Sequence, residues 1–249
     1  TVGEDPSAFS YLKSQKRIAE ELGIKYHHEA LKKATAYEET LELMDYIKVL
    51  NSDPSINGII INKPLPSDLD YSVLVNHLNP AKDIEGLGET NLGRLLLGKN
   101  NALIPCTAEA SLALLKSSKV NLQGKQAVII GRSEIVGKPL AMLLLKENMT
   151  VTICHSKTEN LAEHVRRADV VVAAIGQKRF VKGDWLKEGA IVIDVGINDE
   201  EGKIVGDVDF ESCKDKASFI SPVPGGVGPV TAVMLMNNAI EAFKRIGRV

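Results

Sequence analysis

The run "VIIGRSEIVGKPLAMLLL" (residues 128–145) decides the architecture. It opens on an apolar β-branched segment and closes on leucine-rich sequence at helical spacing, with Gly131 and Gly137 between them. That reads as strand "QAVIIG" (126–131), a glycine turn, and a helix over 135–147. Further downstream come "TVTIC" (150–154), a helix over 159–167, "DVVVAAIG" (169–176), a short helix near 182–186, and "AIVIDVGI" (190–197). Strand and helix alternating at this pace predict a parallel sheet covered on both faces.

A glycine where a strand ends permits a tight turn and lets phosphate oxygens approach backbone N–H groups, and the following helix N-terminus adds partial positive charge. Gly131 and Gly137 fit that role, although Ser133 stands where a second glycine of the usual fingerprint would be. A structural strand–helix turn is the competing reading. The end of the next strand offers His155, Ser156 and Lys157, with no carboxylate to hold a free ribose 2′-hydroxyl. Arg132, Ser156 and Lys157 suit a 2′-phosphate instead, which leans the expectation toward NADP over NAD. A solvated basic cluster is the alternative there.

Upstream, residues 7–22 predict a helix stopped by Gly23, and 24–31 a short strand. A second helix is expected over 36–53, with Leu41, Met44, Ile47 and Leu50 on one face, ending at Asp53-Pro54. "INGIIIN" (56–62) reads as a buried parallel strand terminated by "KPLPSDLD". A helix over 108–118, a turn over 121–125 and a long amphipathic helix over 231–246 complete the pattern. The fold class is α/β with two lobes. The first covers 1–118, with 222–249 returning to it; the second is a Rossmann-like sheet over 119–221.

Bulk properties exclude several function classes. In 249 residues the charged fraction is 25% and the net charge −2, so no global field draws nucleic acid or an anionic membrane. No basic stripe with interleaved aromatics occurs. No apolar run approaches the ~20 residues that span a bilayer. Cys106, Cys154 and Cys213 have no metal-ligand spacing, so no metal site is expected and a reducing, cytoplasmic setting fits.

Taken together, "VIIGRSEIVGKP", "TVTICHSKT", "VIDVGIN", "GDVDF" and "PVPGGVGPVT" resemble the methylenetetrahydrofolate dehydrogenase/methenyltetrahydrofolate cyclohydrolase family. "VGEDPSAFSYLKSQKR", "INGIIINKPLP", "NPAKDIEGL", "NLGRLLLG" and "IPCT" follow in the family's order, so the resemblance covers essentially the whole chain. It implies a helix and a strand ahead of Val2-Gly3, folate bound in a cleft, NADP on the second lobe, and a homodimer. It further implies hydride transfer from 5,10-methylenetetrahydrofolate to NADP, then hydrolysis of the methenyl product. By position, Gly131, Arg132, Ser133 and Ile197 would contact the dinucleotide and Ser156 its 2′-phosphate. Pro64 and Leu65 would line the folate side, and Pro224, Gly225 and Gly226 would belong to a loop closing over the ligands.

The departures from the family pattern cluster on the folate side. The pattern has a tyrosine followed four residues later by a lysine, to which the cyclohydrolase chemistry is assigned; here the pair is Tyr11 and Gln15. A neutral amide cannot titrate as an amine does. The supporting glutamine is Asn62, the next leucine is Lys63, and the acidic residue that grips the pterin is Glu85 where aspartate is usual. Ala8, Ala108 and Ala110 replace a serine, a proline and a glycine. The expectation is a surviving dehydrogenase with weak or lost cyclohydrolase. As a replacement amine Lys63 is better placed than Lys16, which lies about 100° around the helix from Gln15, but a solvated lysine on a strand exit is the preferred reading of Lys63. A non-catalytic dinucleotide-binding relative, or a dehydrogenase acting on another pterin-like substrate, are the competing readings.

Overall fold

The structure is a computed structural model that describes residues 1–2, 6–31, 36–67 and 69–247, with side chains omitted for 6–11 and 36–40. It divides into two compact units. The first comprises Thr1–Arg94, Asn100–Ile104 and Leu235–Val249, and the second Leu95–Lys99 and Pro105–Met234.

The first unit holds α1 (Pro6–Glu21), α2 (Ala36–Ser52), α3 (Tyr71–Asn76) and most of α4 (Glu89–Leu96). Helix α1 ends as its sequence predicts. Gly23, at φ +72°, lets its own N–H reach Glu20 O at 3.1 Å and the N–H of Ile24 reach Ala19 O at 2.8 Å. This paired closure satisfies the last carbonyls and turns the chain back along the helix. On α2 Ile47 of the expected face is buried and Met44 and Leu50 are half-buried, but Leu43 is buried as well, whereas Leu41, expected inside, is 48% exposed.

The strands expected over 24–31 and 56–62 do not form ladders among the described residues. Each makes one isolated parallel bridge, Val2 with Leu31 and Ile59 with Asp83. At Ile59 the bridge includes the Ile59 N–H to Lys82 O bond, 2.8 Å. Apolar β-branched runs report burial; a ladder also needs a partner in register over several residues. Helices α3 and α4 were not anticipated from the pattern.

The second unit contains α5 (Cys106–Ser117), β1 (Gln126–Ile130), α6 (Gly137–Lys146), β2 (Thr150–Cys154), α7 (Leu161–Arg167) and β3 (Val170–Ala173). There follow a 3-10 turn (Gly183–Trp185), β4 (Ile191–Asp194), β5 (Asn198–Glu200), β6 (Lys203–Val205), α8 (Phe210–Cys213), β7 (Phe219–Ile220) and α9 (Val227–Ile246). Helix α5 packs against α6 and β4. The main sheet is parallel, in the order β2-β1-β3-β4-β7, and β5 with β6 forms a separate antiparallel hairpin. Every residue of β3 and β4 is buried, as continuous apolar strands covered on both faces require.

Helix α9 starts at Val227, earlier than the expected Thr231. Gly228 and Pro229 sit in its first turn, where the N–H that proline lacks has no helical partner anyway. The later part of α9 belongs to the first unit, where Asn238 Nδ2 donates to Ile84 O at 2.9 Å and Ile104 O at 2.8 Å. Among the described residues, no helix is long and apolar enough to cross a membrane.

Candidate active site

In the second unit the chain leaves β1 for β2 on one side and returns as β3 on the other. The carboxyl ends of β1 and β3 are therefore the topological switch point at which open α/β sheets bind ligands. Gly131 stands there at φ +126°, and a Cβ on it would lie 2.3 Å from Ala174 O; one on Gly137 would lie 2.1 Å from Gly131 O. No side chain fits at either place. Ser133 closes the turn, its Oγ accepting from Val136 N at 3.2 Å and its carbonyl from Lys138 N at 3.0 Å. Arg132 and Ser133 are exposed at the end of β1, and Ser156 and Lys157 at the end of the adjacent β2. Between β1 and α6 the turn thus exposes the Arg132 cation and the Ser133 hydroxyl together with the Glu134 carboxylate.

Ile197 lies beyond the end of β4 and is 69% exposed. An apolar side chain held out at that edge offers a face to a flat ring. Two buried carboxylates hold its loop. Asp207 accepts from the N–H groups of Ile175, Gly176 and Gln177 at 2.6, 3.0 and 2.8 Å and from Asn198 Nδ2 at 2.9 Å. Asp194 accepts from the N–H groups of Gly196, Asp207 and Val208, each at 2.9 Å. Burial pushes the Asp194 carboxyl up to about 6, against the pull of those three N–H bonds. The loop 222–226 is anchored beside β4 by Ser221, whose N–H donates to Val192 O at 3.0 Å and whose Oγ accepts from Asp194 N at 2.8 Å. Pro224 and Gly225 are exposed, Gly225 with φ +105°, and Gly226 is buried.

In the first unit Gln15, on α1, is fully buried. Its Nε2 donates to Asn62 Oδ1 at 3.3 Å, and its Oε1 accepts from the Tyr26 hydroxyl at 2.8 Å. Glu85 lies on a loop fixed by Asp83, whose carboxylate accepts from Gly86 N at 3.1 Å, Gly88 N at 2.9 Å and Asn91 Nδ2 at 3.0 Å. Lys82, on the same loop, caps α2 by donating to the carbonyls of Leu50, Asn51 and Asp53 at 2.9, 2.8 and 2.7 Å. Tyr71 donates its hydroxyl to Glu85 Oε2 at 3.3 Å, and the Lys63 ammonium sits 3.8 Å from the centre of the Tyr71 ring. The charge of Glu85 is felt at Tyr26, whose phenol is pushed up first by burial and then by that carboxylate. Gln15, Tyr26, Asn62, Lys63, Tyr71 and Glu85 are therefore one cluster.

Burial, reinforced by the Asp83 charge, pushes Glu85 up to about 7, while the Tyr71 bond and Lys63 pull the other way. A glutamate in an unfolded chain titrates near about 4.3. From there to about pH 7 the folded protein keeps a proton that the unfolded chain has shed. The stabilisation is complete at acid pH and is lost as pH rises through about 7. The urea midpoint is expected to fall between about pH 5 and about pH 8, and to fall less steeply in Glu85→Gln. Equal slopes in the two proteins would show that Glu85 titrates normally.

The structure thus gathers Asn62, Lys63 and Glu85 around Gln15. The backbone of Tyr11 lies on α1, but its side chain is outside the described residues. Lys16 faces Glu20 across one helical turn at 3.9 Å, both side chains exposed, so it is no replacement amine. Pro64 is exposed and Leu65 half-buried on the segment after Asn62. Tyr26, Tyr71 and Asp83 escape sequence reasoning, since neither tyrosine lies in a recognisable motif and nothing in the order Asp83-Ile84-Glu85 says which carboxylate binds the loop's own N–H groups.

A doubly wound sheet with a glycine turn at its switch point, accompanied by a second unit that holds a buried polar cluster, is the architecture of two-unit dinucleotide-dependent dehydrogenases. The comparisons narrow this. Residues 1–85 match the tetrahydrofolate dehydrogenase/cyclohydrolase catalytic domain, and 105–247 the NAD(P)-binding domain of the same family. The bifunctional protein FolD of Bacillus pumilus is 46% identical over 245 residues, spanning 98% of this chain and 85% of that protein. The crystal structure of the bifunctional enzyme FolD from Campylobacter jejuni superposes with a TM-score of 0.94 at 42% identity, covering 100% of this chain and 86% of that one. The Trypanosoma brucei enzyme, complexed with NADP cofactor and inhibitor, gives 0.92 at 37% identity, with 100% and 86% covered. The chain belongs to the tetrahydrofolate dehydrogenase/cyclohydrolase family.

Proposed function

We propose that this protein is an NADP-dependent 5,10-methylenetetrahydrofolate dehydrogenase of one-carbon metabolism whose cyclohydrolase step is slow or lost. The observation that carries it is the state of Gln15: fully buried, with both ends of its amide occupied by Tyr26 and Asn62. At the position where the family pattern has a lysine, this chain holds a locked and neutral group. Water attack on a methenyl cation calls for a proton acceptor at the site. Hydride transfer needs none; it leaves a delocalised cation and depends on holding two reactants in register.

NADP supplies the hydride acceptor. The Gly131–Gly137 turn receives its pyrophosphate, Arg132 and Ser156 its 2′-phosphate, and Ile197 packs on the nicotinamide. Asn62 and Glu85 hold the pterin, with Lys63, Pro64 and Leu65 along its edge and Pro224, Gly225 and Gly226 in the closing loop. A homodimer is the working form, and the three buried free cysteines fit a reducing, cytoplasmic setting.

Purified protein is expected to form NADPH from 5,10-methylenetetrahydrofolate and to hydrolyse methenyltetrahydrofolate barely faster than buffer. Arg132→Ala is expected to raise KM for NADP about tenfold or more while leaving the weaker use of NAD unchanged, because a guanidinium–phosphate pair is removed. Absence of NADPH formation would favour a non-catalytic relative. Robust hydrolysis would refute the loss of the second step.

A further inference from the structure

Tyr26 belongs to no motif of the chain, yet it holds one end of the polar cluster. The Gly23 closure turns the backbone so that the irregular segment after α1 runs back toward the helix, which brings the Tyr26 hydroxyl to Gln15 Oε1 at 2.8 Å. With Oε1 accepting from the phenol, the NH2 end of the amide donates to Asn62 Oδ1 at 3.3 Å. That bond engages the oxygen of Asn62 and not its Nδ2, a two-proton donor. Gln15 is 0% and Asn62 8% exposed, so this chain of bonds lies out of water. In this arrangement each link runs one way, from the Tyr26 phenol through Gln15 to Asn62.

We propose that Tyr26 is a positioning residue of the substrate site: acting through Gln15, it fixes the orientation of Asn62 so that the Asn62 NH2 group donates to an acceptor atom of the folate ring system. The proposal rests on the dehydrogenase reading of the same cluster. It explains how a buried neutral glutamine serves the site without titrating. Gln15 transmits orientation. Lys63, held over Tyr71, and Glu85 supply the charges.

Tyr26→Phe removes the hydroxyl and keeps the ring. In steady-state assays it is expected to raise KM for 5,10-methylenetetrahydrofolate about three- to tenfold, while kcat and KM for NADP stay within about twofold. Asn62→Ala should raise the same KM, and adding Tyr26→Phe to it should do nothing more, because the tyrosine acts only through Asn62. A merely structural tyrosine would lower the urea midpoint and leave KM alone, or would add its effect to that of Asn62→Ala; either result overturns the proposal. Failure of the function reading looks different. The native chain would then form no NADPH and take up no tetrahydrofolate in calorimetry, and the role of Tyr26 would fall with it.

Discussion

Gln15→Lys is expected to raise methenyltetrahydrofolate hydrolysis about a hundredfold or more over the native chain, the range that a well-placed acid–base group contributes. The substitution puts an amine into a fully buried position already furnished with acceptors, since the Tyr26 hydroxyl oxygen and Asn62 Oδ1 both lie within reach of the Gln15 amide. Desolvation lowers the pKa of a buried lysine, which favours a form able to take a proton near neutrality. NADPH formation is expected to change only a few-fold, because hydride transfer uses no titrating group at this position. The assay is paired: absorbance of the methenyl compound for hydrolysis, and of NADPH for the dehydrogenase, on the same preparation. A folded Gln15→Lys protein with unchanged hydrolysis would mean that the missing amine is not what limits the second step.

The second large effect is expected at the glycine turn. Gly131→Ala should cost about 3 kcal/mol or more of stability, because a methyl group would have to pass 2.3 Å from Ala174 O in a backbone conformation at φ +126°. Both the clash and the strain fall on backbone that forms the switch point, so NADP affinity should drop more than about a hundredfold even where the variant folds. Gly189→Ala is the control. Gly189 also has positive φ, +74°, but nothing lies within 4 Å of its Cβ position. It should cost about 1 kcal/mol and leave NADP binding intact. Denaturant unfolding and calorimetric titration with NADP read both quantities. Equal behaviour of the two variants would mean that the Gly131 turn has no special part in binding.

The strand–glycine–helix turn at the sheet edge was legible in the sequence because its determinants are local. A strand end, a glycine and a helix start lie within a few residues, and their order dictates where Arg132, Ser133 and Ser156 emerge. The same locality explains the agreement at Gly23, where the residue after the helix performs its own closure. Leu41 shows the limit: helical spacing identified a stripe whose Ile47 is buried, but Leu43, outside it, is buried while Leu41 is exposed. The run 56–62 shows another, since its apolar character correctly marked a chain segment pressed into the interior but not how little of it is paired.

The substrate half was legible only as a set of altered positions. Gln15, Asn62 and Glu85 are far apart in the chain, and their identities alone did not say whether they meet. Lys16 and Lys63 were rival replacements until the structure set one against Glu20 in solvent and the other over Tyr71.

Sequence alone determined the parallel sheet, the glycine turn at its edge, the family, and the absence of a titratable amine at position 15. These follow from backbone preference, periodicity and chemical identity, each of which a residue carries wherever it is placed. Tertiary structure decided that Tyr26 bonds Gln15, that Tyr71 links Lys63 to Glu85, and that Asp83 shapes the loop while Glu85 takes the raised pKa. Hydrogen-bond direction and desolvation depend on what surrounds a group in space, and chain order does not encode those neighbours.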